Sequence, residues 1–277
     1  QKEVISEHIP EFISFDPFDD KALDLGTAVI YAFIFFSIVY AAGLPYYYIF
    51  NTAAIILFIF FKAAGVQFFI SALIVYGMIL KRITDKTHRI ILLLICAVLS
   101  GLVSEIFWNN LRSYQQNRLL TFLNPEKFST EGGWQIIQSK TAVFNGKLTG
   151  SGFMEGAQTQ LRFLPEGHND FILSVLAEEF GLLGVMILLL SFSYLFYRLF
   201  KIVSRTSSRY LYLAGTGIIA LLVVQTVMNV YISLGMLPVT GLTLPFVSYG
   251  GTALVINMFM VGVIMSIGNQ KNVIKGI

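Results

Sequence analysis

The sequence predicts an all-α protein, a polytopic transmembrane helix bundle with about seven spans and one long extracellular loop. Three observations carry that expectation. The 277 residues are 56% hydrophobic and 13% charged, far from the quarter charged of a soluble domain. Mean hydropathy is +0.72. Apolar runs near the length needed to cross a bilayer recur, separated by short connections rich in Lys and Arg.

Taken in order, an outer N-terminal segment, 1–24, holds seven acids and two bases. Four spans follow within 25–108, read as 25–43, 46–61, 66–80 and 89–108. The second and third are short and joined by "KAAGV", as in a tight helical hairpin. The long outer loop is 109–169, and three further spans, 171–197, 210–234 and 247–267, fill 170–277. Of the 19 Lys and Arg, 10 lie in the stretches 81–89 and 198–209 and at Lys271 and Lys275, against one acid, Asp85. Seven spans place all three stretches on one side, which the positive-inside rule makes cytoplasmic. The loop 109–169 and the connection 235–246 are then outside. A connection as long as 109–169 is uncommon unless functional or disordered. Its Trp134, Ile136, Ile137, Phe153 and Phe163 argue for a packed loop, with Trp134 against the bundle.

Several function classes are excluded early. A net charge of +3 is too small to argue for nucleic acid. The single cysteine, Cys96, sits in an apolar run, so there is no disulfide framework and no cysteine metal cluster. No leader pattern is visible, and the chain opens on Gln1, as a fragment or trimmed product would.

The chemistry gathers at the outer face. The stretch "LPEGHNDFILSVLAEEFG" (164–181) enters an apolar run carrying His168, Asp170, Glu178 and Glu179. Ionisable groups at membrane depth are expensive and mark function. Counting ~20 residues back from Arg198 puts the hydrocarbon edge near Glu178 and Asp170 at headgroup level. On a helix Asp170, Ser174, Glu178, Gly181 and Gly184 share one face, with Glu179 roughly opposite. Asp170 is either a chemical group or the N-cap of the incoming helix. Lys140, Lys147 and Arg162 are either solvated loop charges or ligands for a phosphate-bearing lipid. Asp24 opens the first span in "LDLGTA". In 235–253, Pro238, Pro245 and Gly250–Gly251 force irregular backbone, tolerated at membrane depth only where protein or a wet cavity satisfies it.

Five ordered blocks then resemble one family: "DLGTA" at 24–28, "RLLTFLNPE" at 118–126, "WQIIQSK" at 134–140, "GAQTQLRFLPEGHNDFILSVLAEEFGLLG" at 156–184 and "LPVTGLTLPFVSYGGTA" at 237–253. They look like the SEDS family (shape, elongation, division and sporulation) of peptidoglycan polymerases, nearer its elongation branch, the RodA type, than its division branch, the FtsW type. The family usually has ten spans, so the chain would lack roughly the first five. The usual His-Thr-Asp-Phe reads His168-Asn169-Asp170-Phe171, the usual Gly-Ser-Gly-Gly turn reads Phe144-Asn145-Gly146-Lys147, and the usual proline before the aspartate is Leu23. The segment between the first span and the long loop is one helical hairpin longer than is typical.

The resemblance implies glycosyl transfer between lipid II molecules in cell-wall elongation, with Asp170 catalytic. Lys140, Arg162, His168, Glu178 and Ser248 would bind substrate, and Asp24, Gln138, Glu166 and Glu179 would support them. Undecaprenyl pyrophosphate would leave, its charge met by Lys140, Arg162 or a divalent cation (Mg or Mn). Partners would be a class B penicillin-binding transpeptidase and other elongation-complex membrane proteins, in the bacterial inner membrane. Two other readings stand beside the enzyme: a transporter of lipid-linked sugars, and an inactive scaffold for a cell-wall synthase.

Overall fold

The computed structural model describes residues 25–44, 54, 58, 69–70, 73–78, 86–111, 113–127, 133–160, 163, 167 and 169–274. Eight helices are defined within these: α1 (Leu25–Ala41), α2 (Lys86–Asn110), α3 (Ser113–Leu123), α4 (Gly133–Asn145), α5 (Ala157–Gln160), α6 (Ile172–Val203), α7 (Arg209–Ser233) and α8 (Gly251–Ile274). Among the described residues three helices, α6, α7 and α8 through Asn269, are long and apolar enough to cross a membrane. A fourth span results if the bent pair Leu94–Asn110 and Gln115–Leu123 is one crossing. The fold is the expected polytopic helical bundle.

The boundaries differ from the expected spans where local chemistry intervenes. Helix α2 starts at Lys86, inside the stretch read as a connection, because nothing in "KTHR" breaks a helix. The last helix starts at Gly251 rather than 247, since Pro245 and Gly250 (φ +155°) hold the preceding residues out of helical geometry. Within the long loop the described residues hold three helices, α3, α4 and α5. Most of the expected hairpin 46–61 and 66–80 lies outside the described residues. Its described part joins Ala54, Phe58 and Tyr76 in a cluster with Cys96, which is buried as a small apolar residue would be.

Helices α1, α6, α7 and α8 form the bundle that positions the site. Glycines set the close approaches: a Cβ on Gly217 would meet Ile38 at 3.0 Å, and one on Gly215 would meet Val203 at 2.6 Å. Arg209 at the start of α7 donates to the Ala42 carbonyl just past α1 (2.9 Å). At the other end, a Cβ on Gly26 would sit 2.5 Å from Thr240 Cβ, so α1 runs antiparallel to α7. Gly268 approaches Ile202, bringing the C-terminal ends of α6 and α8 together. Arg198, Lys201, Arg205 and Arg209 therefore gather at one end of the bundle. Asp170, Thr240 and Ser248 gather at the other.

Two apolar clusters fill the interior. Ile30, Phe171, Val175, Val224, Met228, Ile232 and Leu242 pack at the Asp170 end. Leu199, Val203, Ile219, Leu222 and Ile264 pack at the basic end.

Candidate active site

The site is built where α6 breaks. Gly181 takes φ +65°, ψ −167° inside an otherwise helical run, a conformation only glycine adopts without strain. The break frees backbone groups on both sides, and buried backbone polar groups must be paired. The segment 146–152 after α4 pairs them. Leu182 and Leu183 N–H donate to the Lys147 and Leu148 carbonyls (2.9 and 3.1 Å). Ser151 and Gly152 N–H donate to the Glu178 and Glu179 carbonyls (2.9 and 3.1 Å). Main chain thus meets main chain directly, which needs hydrogens in place of side chains. A Cβ on Gly146 would lie 1.7 Å from the Ala177 oxygen, and one on Gly150 2.1 Å from the Glu179 oxygen.

Glu178 is fully buried and finishes this clasp. One carboxylate oxygen accepts the Gln158 N–H (2.8 Å), and the other accepts the Thr159 N–H (3.2 Å) and hydroxyl (2.8 Å). Three bonds to one carboxylate fix α5 against α6. Glu179, expected on the opposite face, is also buried (8% exposed). The physical reason is that the 146–156 segment wraps α6 there instead of leaving one face outward.

Asp170 itself is half-buried and precedes the helix. The N-cap of α6 is Phe171, which makes no side-chain cap. The Asp170 turn is held from its carbonyls. Ser248 Oγ donates to the Asn169 carbonyl (2.7 Å) and accepts the Leu244 N–H (2.7 Å). Asn229, fully buried on α7, donates both amide hydrogens, to the Asp170 carbonyl (3.0 Å) and the Leu242 carbonyl (2.8 Å). Beside the carboxylate stands Gly241 at φ +72°, where a Cβ would be 3.9 Å from Asp170 Oδ2. The irregular segment 237–250 therefore pins the aspartate's backbone and leaves room beside its side chain. It carries strain in doing so, since Phe246 adopts φ +63°.

The α4 residues reach the same end of the bundle. Ser139, fully buried, donates to the Ser233 carbonyl (2.7 Å) and meets Ser174 Oγ at 2.7 Å, joining α4, α6 and α7 at one point. Gln138 is buried beside it. Lys140 is half-buried, its ammonium end over Gly235, where a Cβ would come 3.1 Å from Nζ. Trp134 does not bury against the bundle. It is 43% exposed and packs on Phe163, its indole N–H donating to the Phe163 carbonyl (3.2 Å).

The structure thus brings Asp170 and Ser248 together, and Glu178 and Glu179 to the clasp beneath them. Asp24, Arg162, Glu166 and His168 lie outside the described residues. Among the described residues no three His, Cys, Asp or Glu side chains converge to hold a metal. Sequence reasoning missed Asn229. Its signal was present: Thr226, Asn229 and Ser233 recur at helical spacing in an apolar run, and all three are buried.

Such a fold and site define a multi-pass membrane protein with a polar centre at one end of its bundle. Residues 67–273 match the model of the cell cycle protein family that includes FtsW, RodA and SpoVE, and the chain belongs to that family. It is 40% identical over 182 residues to the peptidoglycan glycosyltransferase MrdB of Escherichia coli K12, covering 65% of this chain and 49% of that protein. It is 31% identical over 279 residues to the peptidoglycan glycosyltransferase RodA of Treponema pallidum, covering 90% of this chain and 64% of that one. A probable peptidoglycan glycosyltransferase FtsW of Geobacter metallireducens is 40% identical over 157 residues, covering 57% and 42%. The chain spans about half the length of the curated relatives it matches most strongly. A chain from a solved peptidoglycan synthase complex superposes with a TM-score of 0.46 at 23% identity, over 90% of this chain and 84% of that chain.

Proposed function

We propose that the protein is a peptidoglycan glycosyltransferase of cell-wall elongation, polymerising lipid II. In this reading Asp170 is the general base. It takes the proton of the acceptor sugar's 4-hydroxyl as that oxygen bonds to C1 of the donor. The C1–oxygen bond to undecaprenyl pyrophosphate breaks, and the pyrophosphate leaves with the electron pair. A base must reach the attacking hydroxyl within hydrogen-bond distance. The observation that carries the reading is the double anchoring of the Asn169–Asp170 carbonyls by Ser248 and Asn229, with Gly241 leaving space beside the carboxylate. These two bonds fix the backbone from which the carboxylate projects, as positioning a reacting group requires.

Lys140 supplies positive charge at the same end for the leaving pyrophosphate, and the sequence offers Arg162 and His168 as further substrate-binding residues. Glu178 and Glu179 position the site from below. The Asp170 end faces outward and the arginine-rich end faces the cytoplasm of the bacterial inner membrane. A class B penicillin-binding transpeptidase is the partner that cross-links the product.

The experiment uses the full-length protein with its partner synthase. Asp170→Asn is expected to keep the fold and lipid II binding while losing about 10²–10⁴-fold in glycan polymerisation. Glu179→Gln retains more activity. Near-normal strand synthesis by Asp170→Asn would move the chemistry elsewhere, and lipid II translocation without polymerisation would favour a transporter. Orientation is checked by single cysteines at Ser129 and Ser207 in a Cys96→Ala background. An impermeant thiol reagent added outside should label the first and spare the second; the reverse pattern refutes the placement.

A further inference from the structure

The arginine-rich end of α6 carries a cleft that the reaction does not use. Tyr194, Tyr197, Arg198, Lys201, Ile202 and Arg205 line about 400 Å³ there. We propose that this cleft binds the phosphodiester headgroup of an anionic phospholipid.

Positions 194, 197, 198, 201, 202 and 205 follow the i, i+3, i+4, i+7 pattern of one helical stripe. The run 194–209 contains four Lys or Arg and no Asp or Glu. Among the described residues no carboxylate pairs with Arg198, Lys201 or Arg205. The phenols orient the cations instead: Arg198 donates to the Tyr194 hydroxyl (3.0 Å), and Arg198 and Lys201 each lie 5.8 Å from the ring centres of Tyr194 and Tyr197. One such bond leaves most of the guanidinium's five donors for an anion.

Further along the same face, Ile187 (67% exposed) and Leu190 (62%) lead up to Tyr194. An apolar track ending in a cationic cleft with phenols at its rim has the form of a phospholipid: acyl chain, interface, phosphate. A soluble phosphate would use the cleft and not the track. Cations at a helix C-terminus also complement its dipole, but that effect needs neither a cleft nor an apolar approach. Basic pockets at the cytoplasmic ends of spans are suited to anionic headgroups.

The test titrates the purified full chain in detergent with phosphatidylglycerol, phosphatidylcholine or glycerol 3-phosphate, counting bound copies by native mass spectrometry. Phosphatidylglycerol should be retained about tenfold over phosphatidylcholine, with glycerol 3-phosphate not retained. Lys201→Gln should weaken retention about fivefold, and Arg198→Gln, Lys201→Gln and Arg205→Gln together by about that factor for each cation. Arg118→Gln with Lys127→Gln, remote in sequence, should change nothing, and circular dichroism checks that each variant folds. Equal retention of the two lipids, an unaffected Lys201→Gln, or an equal loss in the remote variant would overturn the proposal. Retention of glycerol 3-phosphate at the affinity of the lipid would overturn the lipid assignment.

Discussion

The two halves of α6 are both mainly apolar and have opposite surroundings. In 172–180, Leu173, Ser174, Val175, Ala177, Glu178 and Glu179 are buried, and two of these are carboxylates. In 182–203 only Phe192, Leu199 and Val203 are buried, while Leu182, Leu183, Met186, Ile187 and Leu190 stand exposed along the outside. The second half is 22 residues, ~33 Å, which alone spans a hydrocarbon core. The break at Gly181 therefore divides a lipid-facing span from a protein-facing cap. Hydropathy says only that both halves leave water. What each half faces is decided by whether another part of the chain bonds to its backbone.

The strongest way to break this contrast is to force the cap and its clasp apart. Gly146→Ala puts a methyl into the Ala177 carbonyl, at a contact of backbone on backbone where no side chain can swing aside. Separation would strip partners from Leu182, Leu183, Ser151 and Gly152 together. The expected cost is about 3 kcal/mol or more, in the range of overpacked cores and broken networks. On the lipid-facing side, Gly262→Ala meets nothing within 4 Å and should be neutral or stabilising by up to about 1 kcal/mol. Thermal unfolding of both variants in one detergent compares them. Equal melting temperatures would mean that the 146–152 segment does not hold the cap.

Much of this was legible in the sequence, and the limits are physical. The bundle, the all-α class and the irregular 237–250 segment follow from apolar runs and from Pro238, Pro245 and Gly250, because those act locally. The position of Asp170 ahead of a span was legible for the same reason. The Gly181 break was not. "EEFGLLGV" reads as continuous helix, and the glycine unwinds only because a segment some thirty residues earlier supplies four replacement hydrogen bonds. The shared face expected for Asp170, Ser174, Glu178, Gly181 and Gly184 presumed an unbroken helix. Ser174 and Glu178 keep it, Asp170 lies before the helix, and Gly184 lies beyond the break. Burial of Glu179 was hidden for the same reason, since periodicity cannot announce a loop that wraps a helix.

A smaller effect sharpens the contrast by chemistry instead of sterics. Glu178→Gln keeps the shape but turns one acceptor oxygen into a donor facing Gln158 or Thr159. The lost charge-assisted bonds should cost about 1.5–3 kcal/mol. The loss is local, so hydrogen exchange at the Gln158 and Thr159 amides should speed up while amides in 209–233 stay protected. Uniform acceleration across the bundle would instead show that Glu178 supports the whole fold.

The smallest effect compares two serines on the same helix. Ser174 lies in the cap, where its hydroxyl shares a 2.7 Å hydrogen bond with Ser139 and both hydroxyls reach the Ser233 carbonyl, at 3.5 and 2.7 Å. Ser174→Ala removes the bond between the hydroxyls and leaves Ser139 donating to the Ser233 carbonyl. The cost should be near a single net hydrogen bond, about 1 kcal/mol. Ser191 lies in the lipid-facing half and donates to the Ile187 carbonyl of its own helix (2.8 Å). That carbonyl already accepts the helical N–H four residues on, so Ser191→Ala should change stability by no more than about 0.5 kcal/mol. Pairing Ser174→Ala with Ser139→Ala in a double-mutant cycle isolates the junction, and a coupling of about 0.5 kcal/mol or more is expected for groups in direct contact. If Ser191→Ala costs as much as Ser174→Ala and the cycle shows no coupling, the two halves of α6 do not differ in the way their burial implies.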